Sequence, residues 1–288
     1  MGKEVWAAER SGQVSVRNAK SGLIKSYLDQ AGGSNFFIWC MTSTDHDVWM
    51  GTESGPIRIY SRARQAYVAE VRAHAGGVYC LVTNIERSRM YSGSNDFTTR
   101  EWDVARRESL RLFAGHSNGV RCALCVGQHL WTGSDDTTIK VWDLISGVCI
   151  DTLTAHKESI SSLVSSGKHI WSASADRTIR IWTITPSDKT IASADKTIRT
   201  VTLDDAAAGS RAAGGGEAAV GAAGGWVADG GVGSGRKCIK VIARQEATWR
   251  PGCLVPMGLH QWAATGKEIS TFDPRRQACV GTLSPGLF

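Results

Sequence analysis

The chain has 288 residues, of which 42% are hydrophobic and 21% charged, a balance that allows a packed core and excludes a disordered polymer. Its longest unbroken apolar run, Phe36 to Met41, is far short of the ~20 residues a membrane span needs, and no basic-then-apolar leader opens it. The formal net charge is +6, but Lys and Arg are scattered among 27 acidic residues; nucleic-acid binding is not indicated, and the expected location is the cytosol or nucleus.

In chain order, the first pattern is a hairpin, VWAAERSGQVSVR at 5–17, with 11 positions from Trp6 to the strand end at Arg17. VWMGTESGPIRIY keeps that spacing from Trp49 to Tyr60. The pattern then becomes a plain repeat: MYSGSNDFTTREWD at 90–103, LWTGSDDTTIKVWD at 130–143 and IWSASADRTIRIWT at 170–183, each 40 residues after the last. A His lies upstream of each, at 74, 116 and 156, and a short apolar run follows it. By alternation each unit reads as an inner strand, a second strand through the aromatic, a turn at the Asp, a third strand ending at Trp, and a fourth strand.

Beyond 183 the copies weaken. SADKTIR at 193–199 repeats SADRTIR at 174–180, and Ala206 to Gly225 is Gly/Ala-rich, a composition suited to a loop. GWVADGGVGSGRKCIKVI at 225–242 and HQWAATGKEISTFD at 260–273 look like further hairpins. The fourth strand of the unit at 156–183 is not apparent. The half-unit at 187–203 and the hairpin at 225–242 are expected to share a sixth blade. The chain opens on what looks like a second strand and ends soon after a fourth, so no donor for the first inner strand is evident.

The Gly-His, Ser-x-Asp and Trp-Asp signatures make the sequence similar to the WD-repeat family, clearest over 72–183 and degenerate over 184–288. The resemblance implies an all-β fold, one propeller domain over 1–288 built of four-stranded antiparallel blades. Seven hairpins predict seven blades, with six as the alternative, and leave ring closure open.

Three sets of polar residues recur in register: His74, Ser94, Asp96, Trp102; His116, Ser134, Asp136, Trp142; and His156, Ser174, Asp176, Trp182. A His–Ser–Asp set has the makings of a hydrolase triad, but catalysis needs one copy, and three favour the family's structural tetrad, in which buried polar groups pair with one another. No catalytic residue is assigned, since nucleophile elbow, phosphate loop and dinucleotide fingerprint are all lacking. Cys122 and Cys125 have the spacing of a metal or redox pair, but three positions apart on a strand they face opposite ways. No metal or cofactor is expected, and Cys40, Cys80 and Cys122 read as small packing residues of successive inner strands. Arg58, Arg100, Lys140 and Arg180 form a column assigned to structure, and His129 and His169 read as turn residues.

In the resembling family, ligands meet the narrow end of the blades at two positions per repeat. Here these are Tyr79 and Asn95, Arg121 and Asp135, and Ser161 and Ala175. The expected function is therefore a non-catalytic scaffold or adaptor, a subunit of a hetero-complex, that binds a protein or peptide partner there. The alternative is the propeller portion of a larger enzyme, such as an inositol-phosphate phosphatase whose VWxG hairpins are similar.

Overall fold

The computed structural model describes residues 4–8, 12–28, 37–166, 169–183, 199–202, 238–243, 253–257, 260–264, 269–273 and 278–283. Among them every regular element is a strand, and the strands form six sheets. The first is β1 (Glu4–Ala8), β2 (Val14–Asn18) and β3 (Ile24–Tyr27) in that order. The second, β4 (Ile38–Ser43), β5 (Asp47–Thr52), β6 (Ile57–Ser61) and β7 (Ala66–Val71), is a four-stranded antiparallel meander. The third repeats it with β8 (Val78–Thr83), β9 (Arg89–Ser94), β10 (Thr98–Asp103) and β11 (Glu108–Ala114), as does the fourth with β12 (Val120–Val126), β13 (His129–Ser134), β14 (Ile139–Asp143) and β15 (Cys149–Leu153).

The fifth sheet has β16 (Ile160–Ser166), β17 (His169–Ser174) and β18 (Thr178–Thr183), followed by β20 (Cys238–Ala243) and, at its edge, β19 (Arg199–Thr202). The sixth is β21 (Cys253–Met257), β22 (His260–Ala264), β23 (Ile269–Asp273) and β24 (Ala278–Leu283). The chain divides into two compact units, Met1–Leu130 with Trp142–Val148 and Trp131–Val141 with Cys149–Phe288.

In the first unit successive sheets stack face to face, and the second strand shows why its sequence lacks polar alternation. Along β5, Met50 and Val48 turn toward Val14, Val16 and Leu28 of the first sheet. Trp49, between them, turns toward Val78, Met90 and Trp102 of the third. Both faces of β5 are thus covered, and all six of its residues are buried, as expected of a strand with no wet side. Each such large side chain contributes about 1.5–3 kcal/mol by leaving water.

Where inner strands adjoin, the packing is tighter still. A Cβ on Gly51 would stand 2.5 Å from Cys40 Sγ and 2.8 Å from Val78 Cγ1; one on Gly93 would meet Cys80 Sγ at 2.6 Å and Val120 Cγ1 at 2.7 Å. The repeated Cys–Gly–Val contact accounts for the small residues at these places, as the pattern predicts for Cys40 and Cys80.

The sheets correct the sequence reading beyond residue 183. The missing fourth strand of the fifth sheet is β20, which pairs antiparallel with β18 from Thr178↔Ala243 to Trp182↔Cys238, and β19 runs parallel to β20. Residues 199–202 and 238–243 therefore extend the fifth sheet and do not build a sixth blade. The sequence missed this because the pairing joins strands far apart along the chain. Six sheets, not seven, are formed by the described residues; the Gly/Ala-rich stretch 206–225 and residues 225–237 lie outside them. His129 and His169 open strands β13 and β17 and are not turn residues.

Candidate functional site

The recurring polar sets are closed hydrogen-bond chains. In the third sheet Trp102 Nε1 donates to Ser92 Oγ at 2.8 Å, Ser92 lies 2.7 Å from His74 Nε2, and His74 Nδ1 lies 2.9 Å from Asp96 Oδ2. Since the indole can only donate, the Ser92 hydroxyl is free to donate to Nε2, which leaves Nδ1 to carry the imidazole proton and donate it to the carboxylate. Trp182, Ser172, His156 and Asp176 repeat the chain in the fifth sheet at 2.8 Å for each link.

The hydroxyl at the centre is thus Ser92 or Ser172, two residues before the Ser94 and Ser174 expected from the sequence. Ser94 instead donates to the Gly76 carbonyl at 2.9 Å and accepts the Asp96 amide at 3.1 Å; Ser174 does the same with Glu158 and Asp176. In the fourth sheet Ser134 accepts the Asp136 amide at 3.0 Å, and Thr132 stands at the Ser92 position. There the His116 and Trp142 rings lie 6.5 Å apart, the spacing of His156 and Trp182.

Each Asp is also gripped by the threonine two residues on, through Thr98, Thr138 and Thr178 hydroxyls at 2.7, 2.6 and 2.6 Å. These threonines are a further part of the set, visible in the sequence as the shared Asp-x-Thr. Burial pushes the His74 and His156 imidazoles below their ordinary value, outweighing the neighbouring carboxylates. Burial alone would raise Asp96 and Asp176; the bonds from Thr98 or Thr178, His74 or His156 and nearby amides outweigh it and hold both carboxyls low. The neutral imidazole and the ionised carboxylate suit one another. Ser92 is wholly buried and already accepts an indole proton, so the chain fixes a turn and presents no nucleophile.

The basic column is tied back onto its own sheets: Arg58 Nε donates to Glu70 at 3.0 Å and Lys140 Nζ to Thr152 at 3.1 Å. Burial pushes the Cys80 thiol up to about 12 and Cys125 up to about 11, so both stay protonated and weakly nucleophilic.

The candidate binding positions have a common structural origin. The inner strands pair with their neighbours from Ile38↔Thr52, Val78↔Ser94 and Ile160↔Ser174, and each register then slips by one residue. The residue at the slip is Trp39, Tyr79 or Ser161. A β-bulge leaves that residue out of the ladder and re-aims its side chain; Trp39 is exposed there, and Tyr79 and Ser161 are half-buried. Arg121 aligns with this position in the sequence of β12.

In the first unit Trp39, Tyr79 and the aligned Arg121 form a row. Trp39 meets Tyr79 edge to face with ring centres 5.7 Å apart, and the Arg121 guanidinium lies 4.3 Å from the centre of the Tyr79 ring. Asn95 joins them on the β9–β10 turn, exposed, with its amide on the Gly77 carbonyl at 2.8 Å. In the second unit Ser161 turns its hydroxyl onto the Ala173 carbonyl at 3.2 Å, Ala175 makes the amide bond equivalent to that of Asn95, and Asp135 lies on the β13–β14 turn. Sequence reasoning missed Trp39 and its turn partner Glu53. The signal was available, because Cys40 aligns with Cys80 and Cys122, each one residue after a bulge position.

The model of the WD domain, G-beta repeat family matches residues 65–103, 107–143 and 147–183. Cell division control protein 4 of Saccharomyces cerevisiae is 32% identical over 85 residues, which are 30% of this chain and 11% of that protein. WD repeat-containing protein pop2 of Schizosaccharomyces pombe is 29% identical over 31% of this chain and 12% of its own length, and F-box/WD repeat-containing protein 10 of Mus musculus 40% identical over 18% and 5%. The matched stretch is thus a small part of each relative. Among solved structures, the computationally designed Ika8 protein superposes with a TM-score of 0.66 over 98% of this chain and 72% of its own, at 15% identity, a likeness of fold alone.

Proposed function

We propose, taking as premise that residues 65–183 of this chain are three WD repeats, that it is a non-catalytic scaffold and works as a subunit of a hetero-complex. The sheets serve as propeller blades, and in the first unit the row of Trp39, Tyr79 and Arg121, with the turns beside it, forms a rim that binds a protein or peptide partner. What carries this reading is an inner-strand position that is bulged in the second, third and fifth sheets, aligned with Arg121 in the fourth, and occupied by unlike side chains. A structural position repeats its chemistry, as the His–Asp pairs do; Trp39, Tyr79, Arg121 and Ser161 do not. Aromatic and Arg side chains held by one another also lose little entropy on binding and are the types that anchor interfaces.

The test is affinity capture from a lysate of the source cells with wild-type chain and with a Tyr79→Ala, Arg121→Ala double variant, followed by mass spectrometry. Proteins retained by the wild type and lost by a variant of unchanged melting temperature support the reading. Identical retention by both refutes it. Two mutually contacting anchors, at about 2 kcal/mol or more each when central, make the expected loss easy to see.

A further inference from the structure

The row of bulge residues ends at Trp39, and this end has its own chemistry. Trp39 is 52% exposed, whereas Trp49, Trp102, Trp131, Trp142, Trp171 and Trp182 are each 3% exposed or less. Phe37, two residues before it, is 43% exposed. The indole is nevertheless held, edge to face with Tyr79, so it offers a fixed ring to the solvent.

Glu53 is brought to the same place by the backbone. Its amide donates to the Phe37 carbonyl at 3.0 Å, opposite the strand that carries Trp39. Its own carbonyl comes so close to Gly77 that a Cβ there would be 2.9 Å away, which sets Glu53 beside the start of the strand that carries Tyr79. The side chain is exposed. The backbone thus sets Glu53 beside the two strands that carry the aromatic rings.

Resting on the rim reading above, we infer that this end of the row takes a lysine or arginine side chain from an extended peptide of the partner, its stem on the Trp39 ring and its charge at Glu53. The row already shows the mode of contact one strand over, where Arg121 stacks on Tyr79. A cation over an indole is favoured by the ring quadrupole, and the long stems of Lys and Arg cover apolar surface while the head stays wet. An acidic or phosphorylated side chain would instead meet Glu53 as a like charge. A purely apolar one would cover the carboxylate without pairing it, which is costly. The net +6 of the chain opposes a basic ligand only at long range, because charges further apart than ~8 Å are largely screened at physiological ionic strength.

The experiment follows the Trp39 indole N–H resonance of the full ¹⁵N-labelled chain. Five Gly/Ser peptides of equal length are titrated in, carrying a central Arg, Lys, Leu, Glu or phosphoserine. Arg and Lys peptides should shift the resonance and bind about two- to fivefold more tightly than Leu, the range expected of an exposed cation–π contact. Glu53→Gln should lower Arg-peptide affinity by a similar factor without weakening the Leu peptide, which no longer covers a charge, and Trp39→Leu should abolish the preference when Arg-peptide binding is read by calorimetry.

Equal binding of the Leu peptide, tighter binding of the Glu or phosphoserine peptide, or no shift with any peptide would overturn the inference. The rim reading is separable: a partner lost with Tyr79→Ala, Arg121→Ala but retained by Trp39→Leu and by Glu53→Gln leaves the scaffold standing and removes the cation site. Melting temperatures of all variants guard against misfolding.

Discussion

Replacing Ser92 by Ala tests the hydrogen-bond chain at its centre. The hydroxyl is shared by two buried groups, the Trp102 indole at 2.8 Å and His74 Nε2 at 2.7 Å, and neither has water at hand, since the side chain of His74 is 0% exposed and Trp102 3%. Each buried group left unpaired costs about 1–3 kcal/mol, so Ser92→Ala should cost about 2–5 kcal/mol. Ser94→Ala is the comparison. Ser94 is itself buried, but its partners, the Gly76 carbonyl and the Asp96 amide, belong to residues that are only half-buried, where water can substitute; about 0.5–1.5 kcal/mol is expected. Ser92→Thr keeps the hydroxyl, as Thr132 does in the next repeat, and should come within about 1 kcal/mol of wild type. The assay is urea unfolding followed by tryptophan fluorescence, comparing midpoints at constant slope. A loss from Ser94→Ala equal to or larger than that from Ser92→Ala would refute the assignment of Ser92 as the central hydroxyl.

Stability should fall as the pH drops below about 6.5: His74 and His156 are held below, and Asp96 and Asp176 also below, their ordinary values. The folded state then binds fewer protons than the unfolded one, and the stability present above the unfolded pKa is lost as the pH falls; urea midpoints flat from pH 7.5 to 5 would contradict this. Thr137 is a β-branched residue at φ 71°, in the left-handed region where a side chain is strained, so Thr137→Gly should raise stability by about 0.5–1 kcal/mol, and a lowered melting temperature would count against it. Gly93→Ala should cost about 1–3 kcal/mol through overlap with Cys80 Sγ and Val120 Cγ1; Cys80→Ala in the same chain should restore part of it, and a neutral Gly93→Ala would show that the inner strands pack more loosely.

How far the sequence can be read depends on which constraint speaks at each position. The 40-residue recurrence and the aromatic-to-strand-end spacing reveal strands β5 to β18, because every blade must bury the same two faces. The choice between Ser92 and Ser94 is not legible in that way. The two serines are two residues apart and share a face; only the register, which pairs Ser92 with Arg100 and Met90 with Trp102, tells which one the indole reaches. Trp39 is marked in the sequence only by the alignment of Cys40 with Cys80 and Cys122, since in an apolar run from Phe36 to Met41 a one-residue bulge leaves no mark on the hydrophobic pattern. The role of β20 was hidden by chain distance, because local spacing says nothing about which late strand fills an early vacancy.

Where the repeats differ from one another, the differences have unequal consequences. At the middle of the third strand Ile59, Val141 and Ile181 are buried and apolar, but the third sheet has Glu101, equally buried. That one change is accompanied by three others: Arg89 at 3.8 Å, Arg111 at 3.6 Å, and a Tyr at 91 in place of the Trp of the other repeats, with its hydroxyl 3.5 Å from the carboxylate. A buried charge without such partners would cost several kcal/mol. At the aligned inner-strand position, Trp39, Tyr79, Arg121 and Ser161 succeed one another between flanking residues that scarcely vary, Ile38, Val78, Val120 and Ile160 before them and Cys40, Cys80, Cys122 and Ser162 after. In the sheets whose register slips there, the side chain leaves the ladder, so its chemistry changes without demanding a compensating change in the core. Side chains can therefore diverge at this position while the sheet stays the same, which is the physical reason for proposing partner specificity there and assigning stability to the His–Asp chains.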